Sequence, residues 1–349
     1  MRNVIVITIL VATIGSAIYF FTNRAFSVQE FKDRAEQVSS LVLPTPALPQ
    51  PFQELTIPYL RSQEFSSTLG ELKAYQSRAN YTSYLTSYDS DGLQVNGLLT
   101  IPFGDEPEEG WPAIVFVHGY IPPTLYETTE RYQDYVDYLA RNGFVVFKID
   151  LRGHDDSEGT PSGAYYSSGY IIDTLNAYSA LQNADFVNAD AVGLWGHSMA
   201  GNVTFRSFVA DQSIPALVIW AGAVYSYEDM SKYGIDDNSY RPPTDNTERE
   251  RYRSQLRETY GNYDGSSEFW KQVVPTNYLD GVGGAIQIHH AVDDSVVNIG
   301  YSRDLMRLLD NTDMPHQLQE YSTGGHNLEG SSFTQAMQST VEFYKQYLR

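Results

Sequence analysis

Five short, nearly continuous apolar runs constrain the fold of this chain more than any other feature. Each spans five or six residues, as expected for strands buried on both faces, and helical patterns lie between several of them. Buried strands need helices on each side, so the alternation predicts a doubly wound, mainly parallel α/β sheet. The runs are Ala113 to Val117, Phe144 to Ile149, Ala191 to Trp195, Ala216 to Trp220 and Ala285 to His289.

An antiparallel hairpin is predicted ahead of the parallel strands. Tyr81 to Ser90 and Leu93 to Ile101 are strand-like runs, and Asp91-Gly92 between them is a strong signal for a two-residue turn. The sheet is therefore expected to begin with this hairpin.

Residues 225–264 interrupt the alternation of strands and helices. This stretch is rich in Tyr, Asp, Glu and Arg, and Asn246 to Tyr260 has the pattern of a helix. Two interpretations remain open, a small lid beside the functional site or a solvated surface insertion without contact to substrate.

The N-terminus carries an uncharged apolar run, Val4 to Phe21, which as a helix nearly crosses a bilayer core of about 30 Å. We expect a membrane anchor. The alternative is a cleaved signal peptide that leaves a secreted protein, since Gly15 and Ala17 have the spacing of a cleavage site. In the anchored form, the short tail stays in the cytoplasm and the remainder lies outside.

This pattern predicts three segments. Residues 1–22 form the anchor and 23–54 form a Pro-rich linker, because the prolines between Ser39 and Pro51 favour an extended spacer. Residues 55–349 form one catalytic domain that includes the insertion.

Charge and cysteine content exclude several functions. The formal charge of −20 repels a phosphate backbone, so no nucleic acid partner is expected. The 349 residues contain no cysteine, which rules out disulfides, thiolate metal sites and a cysteine nucleophile. No His-Glu-x-x-His pattern is present either, and we expect neither a metal nor another cofactor.

Ser198 is the candidate nucleophile. It follows a buried apolar run, and a helical pattern begins directly after it, within Gly196-His197-Ser198-Met199-Ala200-Gly201. A serine at a tight turn from strand to helix is held in strained geometry with its hydroxyl exposed. The usual pattern has glycine two places after the serine, where this chain has Ala200.

A serine hydroxyl needs a base, and the base needs a carboxylate to orient it. His326 lies in a glycine-containing loop before the last helical pattern and is the expected base. Asp293 and Asp294 follow a parallel strand, and we expect Asp293 to be the catalytic acid while Asp294 faces solvent or bonds to the loop backbone. The order Ser198, Asp293, His326 is that of the α/β-hydrolase arrangement.

The oxyanion hole is expected from two backbone N–H groups. Gly119 ends the first parallel strand and lets the chain turn, so that the N–H of Tyr120 can point into the site. The N–H of Met199, at the start of the helix, is the second candidate donor.

Several motifs in order resemble the α/β-hydrolase-fold serine hydrolases, in the branch of the prolyl oligopeptidase (S9) catalytic domain and dienelactone-hydrolase-like proteins. They are SDGLQVNGLLTIP, VFVHGY, FKIDLRGHDDSEG, LWGHSMAG, HHAVDDSVV and GGHN, spread over about residues 80 to 349. The resemblance implies the hydrolase fold and the Ser-Asp-His triad. This chain departs from the large S9 peptidases, because only eighty residues precede the hairpin and we expect no β-propeller among them.

The leading hypothesis is a serine hydrolase that works through an acyl-enzyme, an S9-like peptidase acting on short peptides or amides. A carboxylesterase of the dienelactone-hydrolase-like type is the alternative. A membrane-tethered binding protein without catalysis is a further hypothesis, and motif matches to the fold do not specify the substrate.

Overall fold

The computed structural model describes residues 50–235 and 248–349, and the sheet lies in a compact unit, Phe52–Arg349. The predicted anchor at 1–22 and most of the predicted linker lie outside the described residues. Within the described part of the chain, no helix is long and apolar enough to span a bilayer.

Among the described residues, nine strands, numbered β1 to β9 in chain order, form one mixed sheet in the order β1-β2-β3-β5-β4-β6-β7-β8-β9. The first three pair antiparallel, β3 pairs antiparallel with β5, and the remaining neighbours pair parallel. The strands are β1 Lys73–Ser77, β2 Tyr81–Ser90, β3 Leu93–Pro102, β4 Trp111–Val117, β5 Val145–Ile149, β6 Val187–His197, β7 Ala216–Trp220, β8 Ala285–Ala291 and β9 His316–Tyr321.

The predicted hairpin is present. Asp91 and Gly92 join β2 to β3, with φ angles of 60° and 75°. Two successive residues with positive φ are typical of a type I′ turn, whose twist matches that of the paired strands. The expected antiparallel entry to a mainly parallel sheet is confirmed.

Helices cover both faces of the sheet, as the buried apolar strands require. One large core cluster packs three helices, α3 (Gly169–Gln182), α4 (Met199–Ala210) and α8 (Gly300–Leu309), on one face, and a second packs α2 (Gln133–Arg141) and α9 (Ser331–Tyr347) on the other. The helices are α1 Ile57–Ser62, α2 Gln133–Arg141, α3 Gly169–Gln182, α4 Met199–Ala210, α5 Tyr227–Tyr233, α6 Glu248–Tyr260, α7 Glu268–Val273, α8 Gly300–Leu309 and α9 Ser331–Tyr347. This is the doubly wound α/β-hydrolase architecture predicted from the sequence.

The start of the folded unit differs in detail from the prediction. The linker was expected to extend through residue 54, but the ring of Phe52 packs edge-on against that of Tyr252, and the Tyr252 hydroxyl donates to Glu54 at 2.6 Å. Leu55 is fully buried. Residues 52–54 therefore belong to the packed unit, because their aromatic and carboxylate side chains have partners on α6.

The insertion packs as a small satellite core. Its described residues contribute Tyr227 and Leu256, which join Leu55 and aromatic residues of α7 in a third hydrophobic cluster. The helix expected at 246–260 is present as α6 over its described residues.

Candidate active site

Ser198 lies at the sharp turn between β6 and α4. Its backbone has φ 56° and ψ −116°, a combination that L-residues rarely adopt and that active sites maintain at a cost of about 1–3 kcal/mol. A Cβ at Gly196 would lie 2.6 Å from the Thr204 hydroxyl and 2.8 Å from a backbone oxygen of α4. A Cβ at Gly201 would lie 2.6 Å from Cα of Gly222. Both glycines are therefore needed for strand, helix and loop to approach this closely.

His326 lies next to Ser198 although 128 residues separate them along the chain. Its Nε2 is 2.9 Å from Ser198 Oγ, and its Nδ1 is 2.8 Å from a carboxylate oxygen of Asp294. The carboxylate only accepts, so Nδ1 carries the proton and Nε2 accepts from the serine hydroxyl. This tautomer leaves the imidazole able to take the serine proton.

The carboxylate beside His326 belongs to Asp294, so the expectation that Asp293 orients the imidazole is wrong. Asp293 is exposed and accepts from the N–H of Gly325 at 2.9 Å and that of Gly324 at 3.4 Å. The two aspartates have thus exchanged their expected roles. Asp293 secures the backbone of the loop that carries His326, while Asp294 contacts the ring.

Local hydrogen bonds explain why Asp294 turns inward. One carboxylate oxygen accepts from the N–H groups of Val296 and Val297, at 2.8 and 3.0 Å, which closes an Asx turn after β8. The other oxygen faces His326, and the side chain is fully buried. An aspartate at the start of a loop is a sequence signal for such a turn. Asp293 has the same spacing to the residues that follow it, so this signal does not distinguish the two aspartates.

A second imidazole also contacts the Asp294 carboxylate. Nε2 of His290 is 3.2 Å from the oxygen that faces His326, and 2.9 Å from the Val297 carbonyl. Its Nδ1 is 2.7 Å from the hydroxyl of Ser302. Burial by itself raises the pKa of Asp294, but hydrogen bonds from His290 and His326 outweigh it and hold that pKa well below its ordinary value. Sequence reasoning missed this role of His290.

The turn after β4 faces the nucleophile. Tyr120 borders the same cleft as Ser198, and Met199 begins α4, where the first N–H groups of a helix lack intrahelical acceptors. His118 is fully buried behind this turn, and its Nε2 is 2.8 Å from the carbonyl of Asp150. Burial lowers the pKa of His118 to about 3, so this ring is a neutral brace between two strand ends.

The loop after β5 is also a brace. Arg152 forms an ion pair of 2.8 Å with the buried carboxylate of Asp173. Asp150 accepts from the hydroxyls of Tyr126 at 2.9 Å and Thr128 at 2.6 Å. These contacts give the loop a structural role.

A cleft of about 980 Å³ opens over the nucleophile. Its wall combines aromatic, apolar and charged side chains, and none of the described residues of the 225–264 insertion lines it. The described part of the insertion therefore gives no support to the lid interpretation. The lining residues are Gly119, Tyr120, Ile121, Arg131, Tyr132, Asp134, Tyr135, His197, Ser198, Ser295, Val296, His326, Asn327, Glu329, Gly330 and Phe333.

Known proteins resemble this chain in sequence and in fold. A sequence family described as serine aminopeptidase, S33, matches residues 111–236. A probable dipeptidyl peptidase 4 of Aspergillus flavus is 25% identical over 272 residues, which cover 74% of this chain and 32% of that protein. This chain thus spans about a third of the length of that curated relative.

Two solved structures show the same fold. Dipeptidyl peptidase 4 of Porphyromonas gingivalis has a TM-score of 0.60 at 19% identity, covering 77% of this chain and 36% of that one. Acetyl xylan esterase 1 of a Thermoanaerobacterium species has a TM-score of 0.57 at 18% identity, covering 86% of this chain and 96% of that one. The fold is therefore shared by proteins named as peptidases and by proteins named as esterases.

Proposed function

We propose that this chain, an S9-like α/β-hydrolase, cleaves peptide or ester bonds through an acyl-enzyme on Ser198. The observation that carries the proposal is one array: a serine in strained geometry whose hydroxyl contacts His326, which in turn contacts the buried carboxylate of Asp294.

In the first half of the reaction, Ser198 Oγ attacks the substrate carbonyl while its proton moves to Nε2 of His326. Asp294 holds Nδ1–H and stabilises the imidazolium that forms. The tetrahedral intermediate then collapses, the bond to the leaving group breaks, and His326 donates its proton to the departing amine or alcohol. A water molecule then attacks the acyl-enzyme while His326 again takes and returns the proton, and the acid product leaves Ser198.

The oxyanion is proposed to bind the N–H groups of Tyr120 and Met199. Two features support this assignment, namely the position of Tyr120 in the wall of the same cleft and the position of Met199 at the first turn of α4. A positive helix end beside the nucleophile also favours the developing negative charge.

We propose short peptides or amides as the first substrate class. The match of residues 111–236 to the serine aminopeptidase family favours this choice. Esters are the alternative, favoured by the aromatic and apolar wall that Tyr120, Ile121 and Phe333 give to an open cleft, which suits an acyl chain without requiring peptide backbone contacts.

The test uses the full chain and its Ser198→Ala variant. A fluorophosphonate probe should label the wild type, with the adduct mapped to Ser198, and p-nitroanilide peptides and p-nitrophenyl esters should then rank the substrate classes. We expect the variant to lose at least about 10³-fold in kcat. Equal, slow hydrolysis of both panels by the two proteins, without labelling, contradicts the proposed activity.

The anchor remains part of the proposal. The uncharged run from Val4 to Phe21 supports single-pass attachment with the catalytic domain on the outer side of the membrane. Protease treatment of intact cells should then digest the large domain. Full protection under conditions that digest a known outer protein contradicts this orientation.

A further inference from the structure

A chain of hydrogen bonds joins the turn after β4 to the loop that carries His326. The N–H of Gly119 donates to the hydroxyl of Tyr132 at 2.9 Å, and that hydroxyl lies 2.7 Å from Nδ1 of His197. Nε2 of His197 lies 3.0 Å from the backbone carbonyl of His326. Three segments far apart in sequence thus meet through two side chains.

The donor and the acceptor of each hydrogen bond in this network follow from its chemistry. The carbonyl of His326 only accepts, so Nε2 of His197 carries the proton and donates it. Nδ1 is then an acceptor, and the Tyr132 hydroxyl donates to it while accepting from Gly119. Burial lowers the pKa of His197 to about 3, which keeps the ring neutral with a single proton.

The backbone and packing around these residues accommodate the hydrogen-bond network. A Cβ at Gly119 would lie 2.7 Å from the Tyr132 hydroxyl and 3.0 Å from Nδ1 of His197, so only glycine leaves room for the network. Tyr132 has φ 53° and ψ 17°, a left-handed conformation that is uncommon for an aromatic residue and that directs its ring toward the site. His197 is only 3% exposed, and its ring lies 4.7 Å from that of His326.

We propose that His197 and Tyr132 are positioning residues that hold the oxyanion turn and the catalytic imidazole in a fixed relation to each other. The inference rests on the proposed function, because it assigns these residues a role in that same reaction. Neither is proposed to exchange protons with substrate.

The chemical benefit follows from the two groups at which the hydrogen-bond network ends. At one end it fixes the peptide of Gly119, which immediately precedes the proposed donor, the N–H of Tyr120. At the other end it fixes the backbone of His326, whose ring must accept the proton of Ser198 at the same moment. Catalytic groups must be held within about 0.5 Å of their productive positions, and a displacement of about 1 Å can lower the rate about 10²-fold.

Substitutions at His197 separate positioning from packing. His197→Leu removes both the acceptor and the donor, whereas His197→Gln retains one of each on an amide. We expect kcat to fall about 10²-fold in His197→Leu with KM changed less than about threefold, and to recover at least about tenfold of that loss in His197→Gln. Tyr132→Phe, which removes the central hydroxyl and keeps the ring, should resemble His197→Leu.

Thr340→Val provides the matched control. Thr340 is fully buried, and its hydroxyl accepts from the Trp220 side chain at 3.3 Å and lies 3.1 Å from Nε2 of His289, neither of which belongs to the triad. The Thr340→Val variant should have a lower Tm and an unchanged kcat. Fluorophosphonate labelling rates should fall with kcat in His197→Leu and Tyr132→Phe and stay near wild type in the control.

The positioning role is overturned if His197→Leu and Tyr132→Phe keep wild-type kcat. It is also overturned if kcat falls only in proportion to Tm in all variants including Thr340→Val, or if His197→Gln is as impaired as His197→Leu at equal Tm. Failure of the proposed function itself has a different signature, since the wild type would then be no more active than Ser198→Ala.

Discussion

The exchange of roles between the two neighbouring aspartates makes a sharp prediction for Asp294→Asn, with Asp293→Asn as the matched control. An asparagine at 294 retains an oxygen for the N–H groups of Val296 and Val297. Its amide group then faces Nδ1 of His326 and donates to it, which places the ring proton on Nε2. In that tautomer the ring cannot accept the proton of Ser198.

The magnitude follows from the burial of the carboxylate. The side chain of Asp294 is fully buried and its contact with His326 is 2.8 Å, so water cannot replace the lost charge. A hydrogen bond to a charged group is worth about 1.5–3 kcal/mol, and the wrong tautomer adds to this loss. We expect kcat to fall about 10³- to 10⁴-fold, equivalent to about 4–5.5 kcal/mol of barrier.

At position 293 the expected loss is small. The amide oxygen of an asparagine there can still accept from the N–H of Gly325, now 2.9 Å from the carboxylate of Asp293, and the side chain is exposed. We expect kcat/KM to change less than about threefold, because exposed charges contribute about 0–1 kcal/mol.

The assay is steady-state hydrolysis of the best chromogenic substrate by both variants, with melting curves to confirm folding. A large loss in Asp293→Asn together with near wild-type activity in Asp294→Asn would refute the reasoning and restore the order expected from sequence. Similar modest losses in both variants would mean that neither carboxylate orients the base.

Three further predictions concern other parts of the molecule. His290→Leu removes one hydrogen bond from Asp294 and should lower kcat about tenfold with little change in KM, measured by initial rates; an unchanged kcat contradicts a role for this second imidazole. Burial raises the pKa of Asp150 to about 6, so the folded state binds this proton more tightly than the unfolded chain, and the contribution of Asp150 to stability should decline by about 3 kcal/mol as pH rises from about 4 to 6. Asp150→Asn should flatten that decline in urea unfolding, and an unaltered pH dependence refutes it. Gly201→Val should destabilise the fold by about 1–3 kcal/mol, because its Cβ meets Cα of Gly222 at 2.6 Å, and an unchanged urea midpoint would show that the loop yields.

Local sequence patterns were sufficient for the architecture. Continuous apolar runs predicted the parallel strands, since strands covered on both faces have no polar side, and the strand Ala216–Trp220 begins and ends where its apolar run does. The Asp91-Gly92 turn and the glycines around Ser198 reflect backbone requirements that act within a few residues. The edge strand β1 was not predicted, because residues 73–77 form no apolar run and adopt a strand through pairing with β2.

Only the tertiary structure could choose between adjacent aspartates and bring together His197, Tyr132 and His290 around the triad. His197 contacts groups 65 and 129 residues away along the chain. His290 acts through the carboxylate of Asp294, whose orientation depends on the loop packed against it. The amino-acid sequence states which donors and acceptors exist, and short-range geometry arranges those within a turn of one another. Which of them share a proton across the site is decided when burial removes water and leaves each polar atom only the neighbours that the fold provides.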